Sequence, residues 1–350
     1  MNVFAFSPQA EAVIARIDAE LATLDIDANE THPPERDHAF ANAFHIADAN
    51  LRHFLPDLDG ADCRRLIREI LFHQRMSALD QNDFDLLRVT GIDSRCGDLP
   101  WSNGTPRIFC TYHLGSYKFL FHALAARGVD CMLFVSGRTL MKQGASFLQA
   151  VQRARETRGW SGRLEIVDAE NRNSVLVGMR ALRHGKALVL YADGNAGTGE
   201  GDERLRPVSF FGRTLAVRSG IAYLSHAGGA PVVPTTCRRR ADGSLDLVFH
   251  EAIAPDGRER TAYIDATLQT IHDRLASILR TSPGQWEGWL YAHRALAGTA
   301  FDGGTGAPLA MGEAMQRAHD RERYALLRFP GLRLLLDKRA FTCTVIEAAG

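Results

Sequence analysis

The sequence predicts an α/β fold, a mostly parallel central sheet flanked by helices with an N-terminal helical subdomain, on three observations. From Arg107 onward, short β-prone apolar runs alternate with amphipathic segments of helical period, as in a parallel sheet whose crossovers are helices. Before that point the apolar stripes have helical spacing only. The 350 residues are 45% hydrophobic, enough for a sizeable core.

In chain order, Ser7-Pro8 predicts a helix start, and Ile14, Ile17, Leu21 and Leu24 then recur at helical spacing. Beyond a break at Thr31-His32-Pro33-Pro34, a second stripe runs through Phe40, Phe44, Ala47, Leu51 and Phe54. A third comprises Leu66, Ile67, Ile70 and Leu71, and a short fourth covers 84–87. Residues 1–95 are therefore expected to form a helical subdomain packed on the core; His38, His45, His53 and His73 within it show no regular metal-ligand spacing. The core, 96–300, is expected to carry strands at 108–112, 131–135, 164–167, 187–191, 232–235 and 245–249, with helices at 119–126, 145–157, 174–183 and 216–227.

The glycine-rich run from Asp193 to Gly201 follows the strand ending at Tyr191, but lacks the GxxxxGK[ST] pattern and is not followed at once by a helix. It is expected to be a mobile loop that starts from one fixed carboxylate, Asp193. Leu268, Ile271, Leu275 and Ile278 mark a further helix, and Trp286 and Trp289, three residues apart, are expected to pack in the core. Residues 303–306 suggest a linker. The last segment, 301–350, is expected to be a helical extension whose leucines and arginines dock on the domain, peripheral contact with an anionic membrane being the alternative; Pro330 argues against one uninterrupted helix.

Lysine plus arginine equals aspartate plus glutamate, 41 each, so no net field draws the chain to nucleic acid. Six cysteines are scattered without CxxC spacing, which predicts free thiols in a reducing compartment and no metal site. Neither a signal peptide nor a bilayer-length apolar run is visible, so a cytoplasmic protein, in contact with the inner membrane at most peripherally, is expected.

Tyr112-His113-Leu114-Gly115-Ser116-Tyr117-Lys118 holds the best candidate for chemistry. The turn after a buried strand both fixes a side chain and exposes it to a ligand, and imidazole titrates near neutral pH. No GxSxG elbow offers a serine nucleophile, and Ser116 is expected to serve the helix start instead.

The order of motifs then becomes informative. Ala49 to Pro56, His113, Val189 to Asp193, Val208 to Arg213, Gly229 to Pro234 with Arg238-Arg239, and Gln285-Trp286 with Trp289 and His293-Arg294 together resemble the bacterial late acyltransferases of lipid A biosynthesis, relatives of the glycerolipid acyltransferases. The resemblance implies an acyltransferase that moves a fatty-acyl group from an acyl-carrier-protein or coenzyme A thioester to a hydroxyl or amine acceptor, small or carrier-bound, with no bound cofactor and His113 as general base. It implies that Arg138, and with it Arg238 and Arg239, hold a phosphate of acceptor or donor. Phe211 and Gly212 would shape an acyl-pocket wall.

The sequence departs from the family pattern at one place. Five residues after His113, where the family has a carboxylate, stands Lys118, and no acid lies between Tyr112 and Arg127. A cation there lowers the histidine pKa and cannot stabilise imidazolium. Three readings follow: Asp193 replaces the missing acid; His113 acts alone on an easier acceptor such as an amine, with Lys118 contacting substrate; or the chemistry has been lost. A non-catalytic acyl-chain or carrier-protein binding protein and a thioesterase-like hydrolase are the alternatives to an acyltransferase.

Overall fold

The computed structural model describes residues 8–25, 35–82, 89–94, 106–194, 204–241, 244–296 and 307–347. The expected helix at 84–87, the body of the glycine-rich loop, the 303–306 linker and Ser7 lie outside these residues. The chain begins with three helices, α1 (Pro8–Asp25), α2 (Glu35–Phe54) and α3 (Gly60–Asn82), the last far longer than its expected stripe. Strand β1 (Val89–Ser94) follows, so the expectation of helix alone up to residue 95 is corrected.

The core then alternates as expected through β2 (Ile108–Thr111), α4 (Phe119–Ala126), β3 (Cys131–Val135), α5 (Gly137–Arg158), β4 (Leu164–Asp168), α6 (Ser174–Arg183) and β5 (Ala187–Tyr191). A hairpin, β6 (Leu205–Phe210) and β7 (Arg213–Arg218), precedes α7 (Gly220–Gly228), β8 (Val232–Arg239), β9 (Leu245–Phe249) and α8 (Arg260–Leu279). The helix expected over 216–227 is thus corrected at its start. Residues 213–218 are strand with alternate residues Leu215 and Val217 buried, and the turn ahead of them, Phe211 (φ 49°) and Gly212 (φ 72°), has the two positive φ values of a two-residue hairpin connection.

The seven strands of the main sheet lie in the order β1-β9-β8-β2-β5-β3-β4. Neighbours are parallel except β8 and β9. Strand β3 is apolar and buried throughout, and β2 is buried throughout with Thr111 its one polar residue, because both sheet faces are covered. Ile108 and Cys110 enter one core cluster with residues of α1–α3 and α6–α8, while Phe109 enters the other with residues of α4 and α5. In β3 the alternation repeats, Met132 and Phe134 facing one cluster, Cys131, Leu133 and Val135 the other. Helix α4 is buried over Phe119 to Ala125. Each of its large side chains contributes about 1.5–3 kcal/mol by leaving water.

The C-terminal segment, expected to be helical, is mostly strand. After one short helix, α9 (Met311–Ala318), β10 (Tyr324–Phe329), β11 (Leu332–Asp337) and β12 (Thr342–Val345) form an antiparallel sheet. Pro330-Gly331, with Gly331 at φ 72°, turns the chain between β10 and β11. Alternate residues Ala325, Leu327, Leu334 and Leu336 pack against Ala49 of α2, the expected docking achieved by a sheet face. The five cysteines among the described residues are free and buried. Among the described residues no helix is long and apolar enough to cross a membrane.

Candidate active site

Strand register positions the two groups that matter most. Thr111 pairs with Tyr191 at the C-terminal ends of β2 and β5, and continuing both chains by two residues brings His113 opposite Asp193. The imidazole Nδ1 lies 2.9 Å from Asp193 Oδ1, and the His113 backbone N–H donates to Oδ2 at 2.9 Å. The Trp286 indole N–H donates to the same Oδ2 at 2.7 Å. Three donors therefore hold this buried carboxylate, which fixes Nδ1 as the protonated ring nitrogen and leaves Nε2 as the basic one. Asp193, named in one of the three readings of the missing acid, lies within hydrogen-bond reach of His113.

The electrostatics follow from the same contacts. Burial pulls the His113 pKa down, but the charge and hydrogen bond of Asp193 outweigh it and the net direction is up. For Asp193, burial pushes up, and the paired imidazole together with the indole and backbone donors holds the carboxyl below its ordinary value. Both directions favour the ion pair that forms when His113 takes a proton.

The His113 loop is laced on both sides. Gly115 N–H donates to the Gln285 carbonyl at 2.8 Å, Ser116 N–H to the Cys237 carbonyl at 3.0 Å, and Glu287 N–H to the His113 carbonyl at 2.9 Å. Gly115 is required at this crossing: φ is +58°, and a Cβ would sit 2.5 Å from the Cys237 oxygen. The Gln285 side chain completes the lacing, accepting from Arg239 N–H at 2.9 Å and donating to its carbonyl at 2.7 Å. Beneath the loop, Asp80 of α3 accepts from the Ser116 hydroxyl and from the Arg239 guanidinium, a buried ion pair. Ser116 thus ties the loop to α3 rather than capping α4.

Three tyrosines enclose the imidazole. Tyr191 stacks on it at 4.4 Å between centroids, Tyr117 meets it edge-on at 5.0 Å, and Tyr291 does so at 6.4 Å. Lys118 is buried at the start of α4, its Nζ 5.8 Å from the Tyr117 ring centre and 5.4 Å from that of Phe147. Burial lowers the Lys118 pKa, and the Glu287 and Asp80 carboxylates act against that shift.

Of the other expected site residues, Arg239 is committed to Asp80, Arg238 lies 3.3 Å from Asp246, and Arg138 is exposed at the start of α5. None of the three presents a free guanidinium beside His113. Phe211 and Gly212 form the β6–β7 turn, where Phe211 packs 6.0 Å from Trp289 and the Arg280 guanidinium lies 5.5 Å from its ring centre. The neighbouring Phe210 reaches further in, meeting Trp286 at 5.6 Å. Beside Asp193, an apolar cavity is lined by Phe210, Leu215, Val217, Leu275, Trp286 and Ala295. Trp286, Glu287, Tyr191 and Tyr291 escaped the sequence reading as site residues. The available signal was the acid of Gln285-Trp286-Glu287-Gly288, a carboxylate inside an otherwise buried aromatic run.

Residues 136–294 match the family model described as bacterial lipid A biosynthesis acyltransferase. The span includes Asp193, the hairpin and Trp286, and begins after His113 and Lys118. The match bears out the resemblance and supports acyltransferase activity in general. No curated protein matches the chain.

Proposed function

From a lipid A biosynthesis acyltransferase match over residues 136–294, we propose that the chain transfers a fatty-acyl group from a carrier-protein or coenzyme A thioester to a hydroxyl or amine acceptor, with His113 as general base and Asp193 orienting it. The observation that carries the reading is the 2.9 Å contact between His113 Nδ1 and Asp193 Oδ1 on a carboxylate already held by two further donors. His113 Nε2 takes the acceptor proton as the acceptor oxygen or nitrogen attacks the thioester carbonyl carbon. The carbon–sulfur bond breaks, and the imidazolium returns its proton to the leaving thiolate. Asp193 stabilises the imidazolium between these two transfers.

The test is thiol release from an acyl thioester in the presence of acceptor. His113→Ala is expected to lower kcat by about 10²–10⁴-fold, the usual contribution of a general base. Unchanged turnover in that variant, with the fold intact by circular dichroism, would remove His113 from the mechanism. Thiol release at the same rate without any acceptor would favour a hydrolase.

A further inference from the structure

Glu287 is a buried carboxylate, 7% exposed, attached to the site through its backbone N–H, which donates to the His113 carbonyl at 2.9 Å. Its Oε2 lies 3.5 Å from Gln74 Nε2, at the limit of a hydrogen bond, and its Oε1 has no partner. The Tyr191 hydroxyl, on the ring stacked against His113, is also buried without a partner. A buried carboxylate oxygen with nothing to accept from is costly, because it has given up water and received no donor in exchange. Glu287 also pulls the His113 pKa upward, as expected of a carboxylate near the imidazole.

We infer that Glu287 and the tyrosines around His113 form the acceptor subsite, and that the acceptor they select is a primary amine. This rests on the acyltransferase reading and narrows its acceptor. A hydroxyl has one hydrogen, and the transfer requires it to point at His113 Nε2. Nothing then remains on the attacking atom for Glu287. An amine nitrogen offers one hydrogen to Nε2 and keeps another for Glu287 Oε1, so the base and the orphaned oxygen are satisfied by the same atom. Tyrosine ring faces and a carboxylate also suit the protonated form in which most amines arrive. The chemistry balances: the ammonium gives one proton to solvent before attack, the amine loses the second to Nε2 as the carbon–nitrogen bond forms and the carbon–sulfur bond breaks, and the thiolate leaves with that second proton. Lys118, a buried cation whose charge acts on both His113 and Glu287, favours the neutral, nucleophilic form of the bound amine.

The experiment compares matched acceptors, butylamine against butanol and hexylamine against hexanol, with decanoyl-coenzyme A as donor, in the wild type, Glu287→Gln and Tyr191→Phe. Glu287→Gln keeps the shape and removes the charge, and Tyr191→Phe keeps the stacked ring and removes only the hydroxyl. The amine-to-alcohol ratio of kcat/KM is expected to fall about tenfold or more in Glu287→Gln, mostly through KM, as for loss of a hydrogen bond to a charged group. A smaller fall is expected in Tyr191→Phe. Because the ratio is compared between variants, the greater intrinsic reactivity of amines cancels. Transfer to alcohols with the ratio unchanged in both variants would overturn the amine inference and leave the acyltransferase reading standing. Transfer to neither series would overturn both.

Discussion

Replacing Asp193 by asparagine separates the orienting role of this residue from its bulk. The carboxylate accepts from His113 Nδ1, from the His113 backbone N–H and from Trp286 Nε1. Asparagine has one acceptor oxygen, and its NH2 group must face at least one of these donors. The buried mismatch is expected to cost about 1–3 kcal/mol of stability. The catalytic loss is larger, because the imidazolium formed during transfer no longer faces a negative charge and the tautomer is no longer fixed. Together these are expected to lower kcat by about 10²–10⁴-fold, or about 3–5.5 kcal/mol of barrier. The pH profile gives an independent sign. In the wild type the carboxylate holds the His113 pKa above its ordinary value against burial, so the rate rises with pH through a midpoint above that of free imidazole. In Asp193→Asn burial and the Lys118 charge are opposed only by Glu287, and the midpoint moves down. Thiol release measured across pH, alongside thermal unfolding, checks both. A variant that keeps the wild-type midpoint and most of its kcat would refute the pairing as a working element.

Other substitutions test the frame around the pair. Gly115→Ala forces a side chain into a left-handed backbone position and against the Cys237 carbonyl; a stability loss of at least about 1–2 kcal/mol is expected in urea unfolding, with activity falling as the loop shifts. Arg239→Met leaves Asp80 buried without its cation and is expected to cost about 3–5 kcal/mol, partly recovered in Asp80→Asn/Arg239→Met. Lys118→Asp places an acid five residues after His113, yet is expected to lower both the unfolding temperature and the activity, since it removes a cation that interacts with Glu287 and Asp80 and adds a further buried acid.

Much of this architecture was legible in the residues because parallel strands buried on both faces carry uninterrupted apolar runs. The expected bounds at 119–126, 131–135, 174–183, 187–191 and 245–249 coincide with α4, β3, α6, β5 and β9. The errors fell where spacing was ambiguous. Leu326, Leu327, Leu334 and Leu335 are dense enough to satisfy a helical stripe, and only the Pro330-Gly331 turn and the alternation of Ala325 with Leu327 distinguish the hairpin. Residues 213–218 were masked in the same way by the helix that follows them. At the site, His113 and Asp193 could be nominated because both stand at strand ends. Glu287 could not, since it lies in a 3-10 turn whose neighbours in space, Gln74 of α3 and His113 just beyond β2, are far away in the chain.

His113 and Asp193 are separated by eighty residues. A histidine and an acid five residues apart would meet as soon as one helix turn closed. Here they meet only after β2 and β5 have paired in register, a long-range closure that is slow because its chain entropy is lost before the contacts compensate. A folding intermediate with helices formed but this pairing unmade holds the imidazole without its partner. A slip of one residue between the two strands turns Asp193 to the opposite face. Recovery of activity during refolding is therefore a clock for the central pairing of the sheet, and should lag behind the return of helical signal.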